Sequence, residues 1–182
     1  MIKKIFLIVF SVIIADTCHG QAKKVNRTPV VYGGFGAGLD HGGLGFKIEY
    51  LPVKRIGLFA GAGYNFNKMG TNAGISWKAF ADNKSTPMIM AMYGYNAILK
   101  VQAPIGTATF SETYYGFSAG IGYEFFFGQN RNKIVLSLLM PFRGSDFKDQ
   151  YDAFEAAGYT FTTNVLPVLF GIGINFAGYG RQ

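Results

Sequence analysis

The chain has 182 residues, of which only 15% are charged, with 25 glycines, 18 phenylalanines, 11 tyrosines and a formal charge of +7. A water-soluble globule usually carries about 25% charged residues, so a chain this apolar must hide hydrophobic surface in lipid, a ligand or a partner as well as in its own core. The length suits one domain, and the single cysteine excludes an intrachain disulfide.

Residues 1–20 read as a targeting segment. Lys3 and Lys4 precede an apolar run from Ile5 to Ala15, and Gly20 is a small residue suited to cleavage before Gln21. The alternative is a lipoprotein signal with Cys18 lipidated, which Asp16 and Thr17 disfavour. Cleavage at Gln21 removes Cys18 and leaves no cysteine nucleophile or thiolate metal ligand. Residues 21–29 are expected to form a short periplasmic segment, 30–176 a β-barrel domain and 177–182 a C-terminal tail.

From residue 30 onward the dominant period is two, the signature of strands. Leu44, Phe46, Ile48 and Tyr50 alternate with Gly45, Lys47 and Glu49. Ile56, Leu58, Ala60, Ala62, Tyr64 and Phe66 alternate with glycines, Phe59 and Asn65. Tyr115 to Phe127 and Leu166 to Phe176 repeat the pattern. With the less regular stretches 30–39, 72–80, 88–101 and 133–142, eight strands are expected, near the roughly 9–11 residues a tilted membrane strand needs. Turn residues separate them, among them Asp40-His41-Gly42-Gly43 and Gly128-Gln129-Asn130. The fold expected is all-β: an eight-stranded antiparallel up-and-down transmembrane barrel, closed so that no strand edge is stranded in lipid. One short helix is expected in the last outer loop, at 146–157. There Ser145 is a candidate N-cap, Phe147, Tyr151 and Phe154 form an apolar stripe, and Gly158 is a stop. Capping the barrel is the expected use of that stripe.

The second face of each strand decides which way the barrel turns. It is mostly glycine (Gly34, Gly36, Gly38, Gly45, Gly57, Gly61, Gly63, Gly94, Gly116, Gly120, Gly122, Gly171 and Gly173), with sparse charges at Lys47, Glu49, Lys78, Lys100 and Glu124. Such a face cannot keep a protein dispersed in water, but its charges can pair inside a narrow lumen. The apolar face is therefore expected to meet lipid. Tyr50, Phe125 and Phe127 would form one aromatic girdle, and Tyr64, Phe66 and Tyr115 the other. The lumen glycines permit either tightly coiled strands or a cavity, the latter a narrow pore or carrier site lined by the five charges.

With both termini periplasmic, Lys23, Lys24, Arg27, Lys54, Arg55, Lys84, Arg131, Lys133 and Arg181 fall at the inner end against Asp82. Asp40, Glu112, Asp146, Asp149, Asp152 and Glu155 fall at the outer end against Lys68, Arg143 and Lys148. Anionic phospholipid at the basic rim and lipopolysaccharide at the acidic one are the expected lipid partners. Nucleic acid is not, given the export signal and the sparse charge of the body of the chain. One histidine and scattered carboxylates make no metal site, and the Gly-x-Gly pairs lack the helix a dinucleotide site requires. No cofactor is expected.

The signal, the eight alternating strands and the ending Gly171-Ile172-Gly173-Ile174-Asn175-Phe176 resemble the small outer-membrane β-barrel proteins of the OmpA/OmpX-like families. That resemblance implies residence in the outer membrane with a structural, envelope-integrity or surface-interaction role. It also implies that Gly171, Ile174 and Phe176 belong to the signal read by the barrel-assembly machinery, although Ala177 to Gln182 follow here. Some barrels of similar size are lipid A-modifying enzymes. On that alternative His41 is the candidate base, with Asp40 adjacent and Ser111, Ser145 and Glu112 in other outer loops.

Overall fold

The structure, a computed structural model, describes residues 31–80, 83–102, 109–128, 131–161 and 166–178. The expected signal peptide, the 21–29 segment, Asp82 and the tail beyond Gly178 lie outside the described residues. The elements are β1 (Val31–Gly38), a one-turn 3-10 segment (Leu39–His41), β2 (Gly43–Val53), β3 (Ile56–Tyr64), β4 (Met69–Lys78), β5 (Ser85–Gln102), β6 (Thr109–Phe127), β7 (Asn132–Pro141), α1 (Ser145–Ala156), β8 (Thr160–Phe161) and β9 (Leu169–Gly178).

Every neighbouring pair is antiparallel. The sheet runs β4-β3-β2-β1-β9-β7-β6-β5, and a β4–β5 pairing closes the ring. This is the expected eight-stranded barrel. The two-residue β8 is not part of the ring; it adds to β5 through Val101↔Phe161 and Gln102↔Thr160. Because each barrel strand has a partner on both sides, the backbone groups of the wall are satisfied without water.

Short connections set the register. At the β3–β4 turn, the Asn65 side-chain oxygen accepts from the backbone N–H of Asn67 (3.1 Å) and of Lys68 (2.7 Å), the local bond that makes asparagine a turn former. The last barrel strand starts at Leu169 rather than Leu166, since Pro167 has no N–H to give to a ladder, and it runs on to Gly178, beyond Phe176.

Period two sorts the side chains as expected. Phe46 (72% exposed), Phe35, Ile48, Leu58, Ile75, Trp77, Tyr93 and Phe170 all stand outward and uncovered. The six aromatic residues expected in girdles stand on that outer face: Tyr50, Phe125 and Phe127 near Lys54, Arg55 and Gly128, and Tyr64, Phe66 and Tyr115 near the opposite end. Inside, Leu39, Phe59, Met88, Met90, Met92, Val135 and Leu139 form an apolar cluster.

β5 and β6 are the longest strands and continue as a hairpin beyond the barrel. Helix α1 packs on the lumen-side face of that extension. Tyr114 and Phe147 meet edge to face at 5.1 Å, and Phe110 and Phe154 are 5.1 Å apart. Ala97, Leu99 and Val101 complete this second core. The aromatic stripe of the helix thus packs against its own chain, with Phe147 buried and Tyr151 and Phe154 half-buried. Ser145 is the first helical residue and not the expected cap; extended Gly144 occupies the cap position without a side-chain bond. Gly158, at φ 76°, ends the helix as expected.

Lumen glycines should be intolerant of side chains where outward ones are not. A Cβ at Gly36 would stand 2.7 Å from Gly173 Cα and from His41 Nε2, whereas a Cβ at Gly33 meets nothing within 4 Å. Gly36→Val is expected to cost about 3 kcal/mol or more, at the upper end of overpacking, and Gly33→Val close to nothing. Refolding into detergent micelles, read as the folded band of an unboiled gel, checks this; equal yields for both variants would contradict it.

Candidate functional site

The barrel interior holds two polar assemblies, and the strand register explains both. The first is a ring of four charges. Lys133 Nζ lies 2.6 Å from Glu124 Oε1 and donates to Glu49, while Lys78 Nζ lies 3.0 Å from Glu49 and 3.2 Å from Glu124. Ser76 Oγ donates to Glu49 Oε1 at 3.0 Å. The Tyr32 ring sits beside both ammonium groups, 4.3 Å from Lys133 Nζ and 5.9 Å from Lys78 Nζ. All five of these polar side chains are buried. Two carboxylates and two ammonium groups alternate around this ring, so each charge has two opposite neighbours. That is the arrangement in which buried ions are tolerated.

The second assembly is the β1–β2 connection. The sequence reading is a tight turn at the outer end, with Asp40 among the outer charges and His41 as a candidate base. Instead Leu39–His41 folds inward: His41 is 0% and Asp40 1% exposed. Lys47 donates to Asp40, His41 Nδ1 lies 3.1 Å from Asp40 Oδ1, and Asn72 Nδ2 donates to the Leu39 carbonyl. The glycine face makes this possible. A Cβ at Gly36, Gly45, Gly61, Gly63 or Gly173 would run into the backbone or imidazole of the turn. These five glycines make a seat for the chain's own turn.

Of the five charges expected in the lumen, Lys47, Glu49, Lys78 and Glu124 are there and buried. Lys100 is not. A register shift between Tyr95 and Ala97 inserts a bulge at Asn96, and a bulge of one residue inverts every side chain beyond it. Leu99 and Val101 consequently take the inner face, and Lys100 turns outward to donate to the Phe66 carbonyl at 2.7 Å.

Lys133, expected at the inner rim, is fully buried in the ring. The alternation Lys133, Val135, Ser137, Leu139 against Ile134, Leu136, Leu138, Met140 carries that signal in the sequence. Asp40 and Lys133 accordingly leave the two rim charge groups. Asn175, also missed, is buried on the same rung as Lys47 and Lys133, with Gly34 between it and Lys47.

The remaining expected residues are placed on the β5–β6 hairpin, at the start of α1 and on β9. Ser111, Glu112 and Ser145 are not gathered around His41: Glu112 accepts from Tyr114 Oη at 3.3 Å, and Ser145 Oγ bonds Asp146 at 3.2 Å. Gly171, Ile174 and Phe176 lie on the strand that closes the barrel against β1. Gly171 faces Ser137 and Asp40, and Phe176 faces outward, 6.2 Å from Phe35. Among the described residues no group of three His, Cys, Asp or Glu side chains could hold a metal ion.

Comparison with known proteins returns no match to any family model, curated protein or solved structure.

The charge ring predicts a conditional cost. Lys133→Met leaves Glu49 and Glu124 with one lysine between them and is expected to destabilise the barrel by about 3–5 kcal/mol. Adding Glu124→Gln should restore part of the loss by removing the unpaired carboxylate. Urea unfolding midpoints in micelles measure both, and a neutral Lys133→Met would show that the ring carries no such constraint.

Proposed function

We propose that this chain is an integral outer-membrane β-barrel whose lumen is occupied by its own side chains and turn, serving a structural or surface-interaction role. The observation that carries the reading is the contrast between the two faces of one wall. Large apolar side chains stand uncovered around the outside, while the inside holds three lysines (Lys47, Lys78, Lys133) and three carboxylates (Asp40, Glu49, Glu124) in mutual contact. A soluble carrier barrel needs the opposite arrangement, with polar side chains outward. Exposed apolar surface on this scale requires lipid as its solvent.

The signal-like first twenty residues and the resemblance of the last strand to outer-membrane barrels support export and insertion by the barrel-assembly machinery, with β9 as the segment read. Lipopolysaccharide is the partner suited to the outer rim. The filled interior favours a silent barrel over a narrow pore. The buried position of His41, turned away from the lipid-facing surface, gives the lipid A-modifying alternative no support.

Two measurements on outer-membrane fractions test the proposal. The chain is expected to migrate anomalously on gels until boiled, and the purified barrel to give no discrete conductance steps in planar bilayers. A soluble protein without heat-modifiable migration would remove the membrane reading, and regular conductance steps would replace the silent barrel with a pore.

A further inference from the structure

The inward turn is held differently from the ring of four charges. The ring is tied from four strands, whereas the turn rests on one apolar anchor, Leu39, and two polar ties, Lys47 to Asp40 and Asn72 to the Leu39 carbonyl. Much of its seat is glycine backbone, at Gly36, Gly45, Gly63 and Gly173. Both ends of the turn are glycines in the left-handed region: Gly38 at φ 145°, Gly42 at 72° and Gly43 at 112°. These are the residues about which a backbone reorients at least cost. One rung away, the buried amide of Asn175 has neither its oxygen nor its nitrogen hydrogen-bonded among the described residues.

We infer that the Leu39–His41 turn is a displaceable internal ligand, and that its seat is a binding cup for a small carboxylate that takes the place of Asp40 on Lys47. The charge logic selects the ligand. If the turn swings out about its glycine hinges, Asp40 goes to water and Lys47 is left buried without a counter-ion, which is strongly unfavourable. A neutral molecule cannot repair that; a carboxylate can, with both oxygens, and it leaves the charge balance of the lumen unchanged. The Asn175 amide offers a further polar contact to a ligand lying along the rung. The turn is thus the closed state of the cup, and the population of the open state rises with carboxylate concentration.

Thiol accessibility tests this directly. The full chain carrying Cys18→Ser and His41→Cys is refolded in detergent micelles and treated with a charged maleimide, in acetate or in chloride at equal ionic strength. Labelling is expected to be slow in chloride and about tenfold faster at acetate about ten times its dissociation constant for the open cup. The acceleration should vanish when Lys47→Met is added. Equal rates in acetate and chloride, or an acetate effect that survives Lys47→Met, would overturn the inference. Leu39→Cys serves as a second reporter if His41→Cys does not fold. The folded band of an unboiled gel is read from every sample, so a failure of the cup is distinguished from a failure of the barrel.

Discussion

Lys133 cannot be buried without Glu49 and Glu124, and those two carboxylates cannot both be buried without Lys133 and Lys78. The four come from β2, β4, β6 and β7, and they meet only when those strands keep one register around a closed ring. A slip of one residue in any of them would send a charge to the apolar outer face and leave its partners unpaired. The ring therefore fixes far more than a local contact. It sets which face of each strand is inside, and hence which side chains are left for the outside: Phe46, Ile48, Leu58, Ile75, Trp77 and their neighbours. An outer surface made of these residues is compatible with lipid and poorly compatible with water.

The inward turn follows from the same constraint applied to volume. Eight strands enclose a space that side chains just fill. At Gly36, Gly45, Gly61, Gly63 and Gly173 the inner face has no side chains, and the Leu39–His41 segment occupies that space. It brings Asp40 to Lys47, so that the last lumen lysine is also paired. The interior is thereby layered: an apolar cluster of methionines with Phe59, Val135 and Leu139, the charge ring beside Tyr32, and the turn in its glycine seat.

Much of this was legible in the sequence because period two is a strong signal when the two faces differ as sharply as glycine and phenylalanine. Barrel strand number, closure, the outward position of the six aromatics expected in girdles and four of the five lumen charges followed from it. What escaped had physical causes. The bulge at Asn96 adds one residue to β5 without altering its composition, so nothing marks the inversion that carries Lys100 outward. β6 begins at Thr109 and not near Tyr115, because the portion with Ser111, Glu112 and Thr113 extends past the closed ring and loses the alternation. Asp40 and His41 look like ordinary turn residues; only the glycines of other strands, brought around them by the fold, show that the turn points inward. Lys133 stands next to a turn and reads as a rim residue, although its parity with Ser137 places it inside.

Trp77 offers the most direct measurement of the central claim that the outer face meets lipid. It is the single tryptophan of the chain, and it stands exposed on the outer face of β4 between Ile56 and Ile89. In vesicles containing acyl-chain-brominated phospholipid, its fluorescence is expected to be strongly quenched and to be insensitive to aqueous iodide. Quenching by iodide with no response to the brominated chains would mean that this face meets water, and would contradict the account.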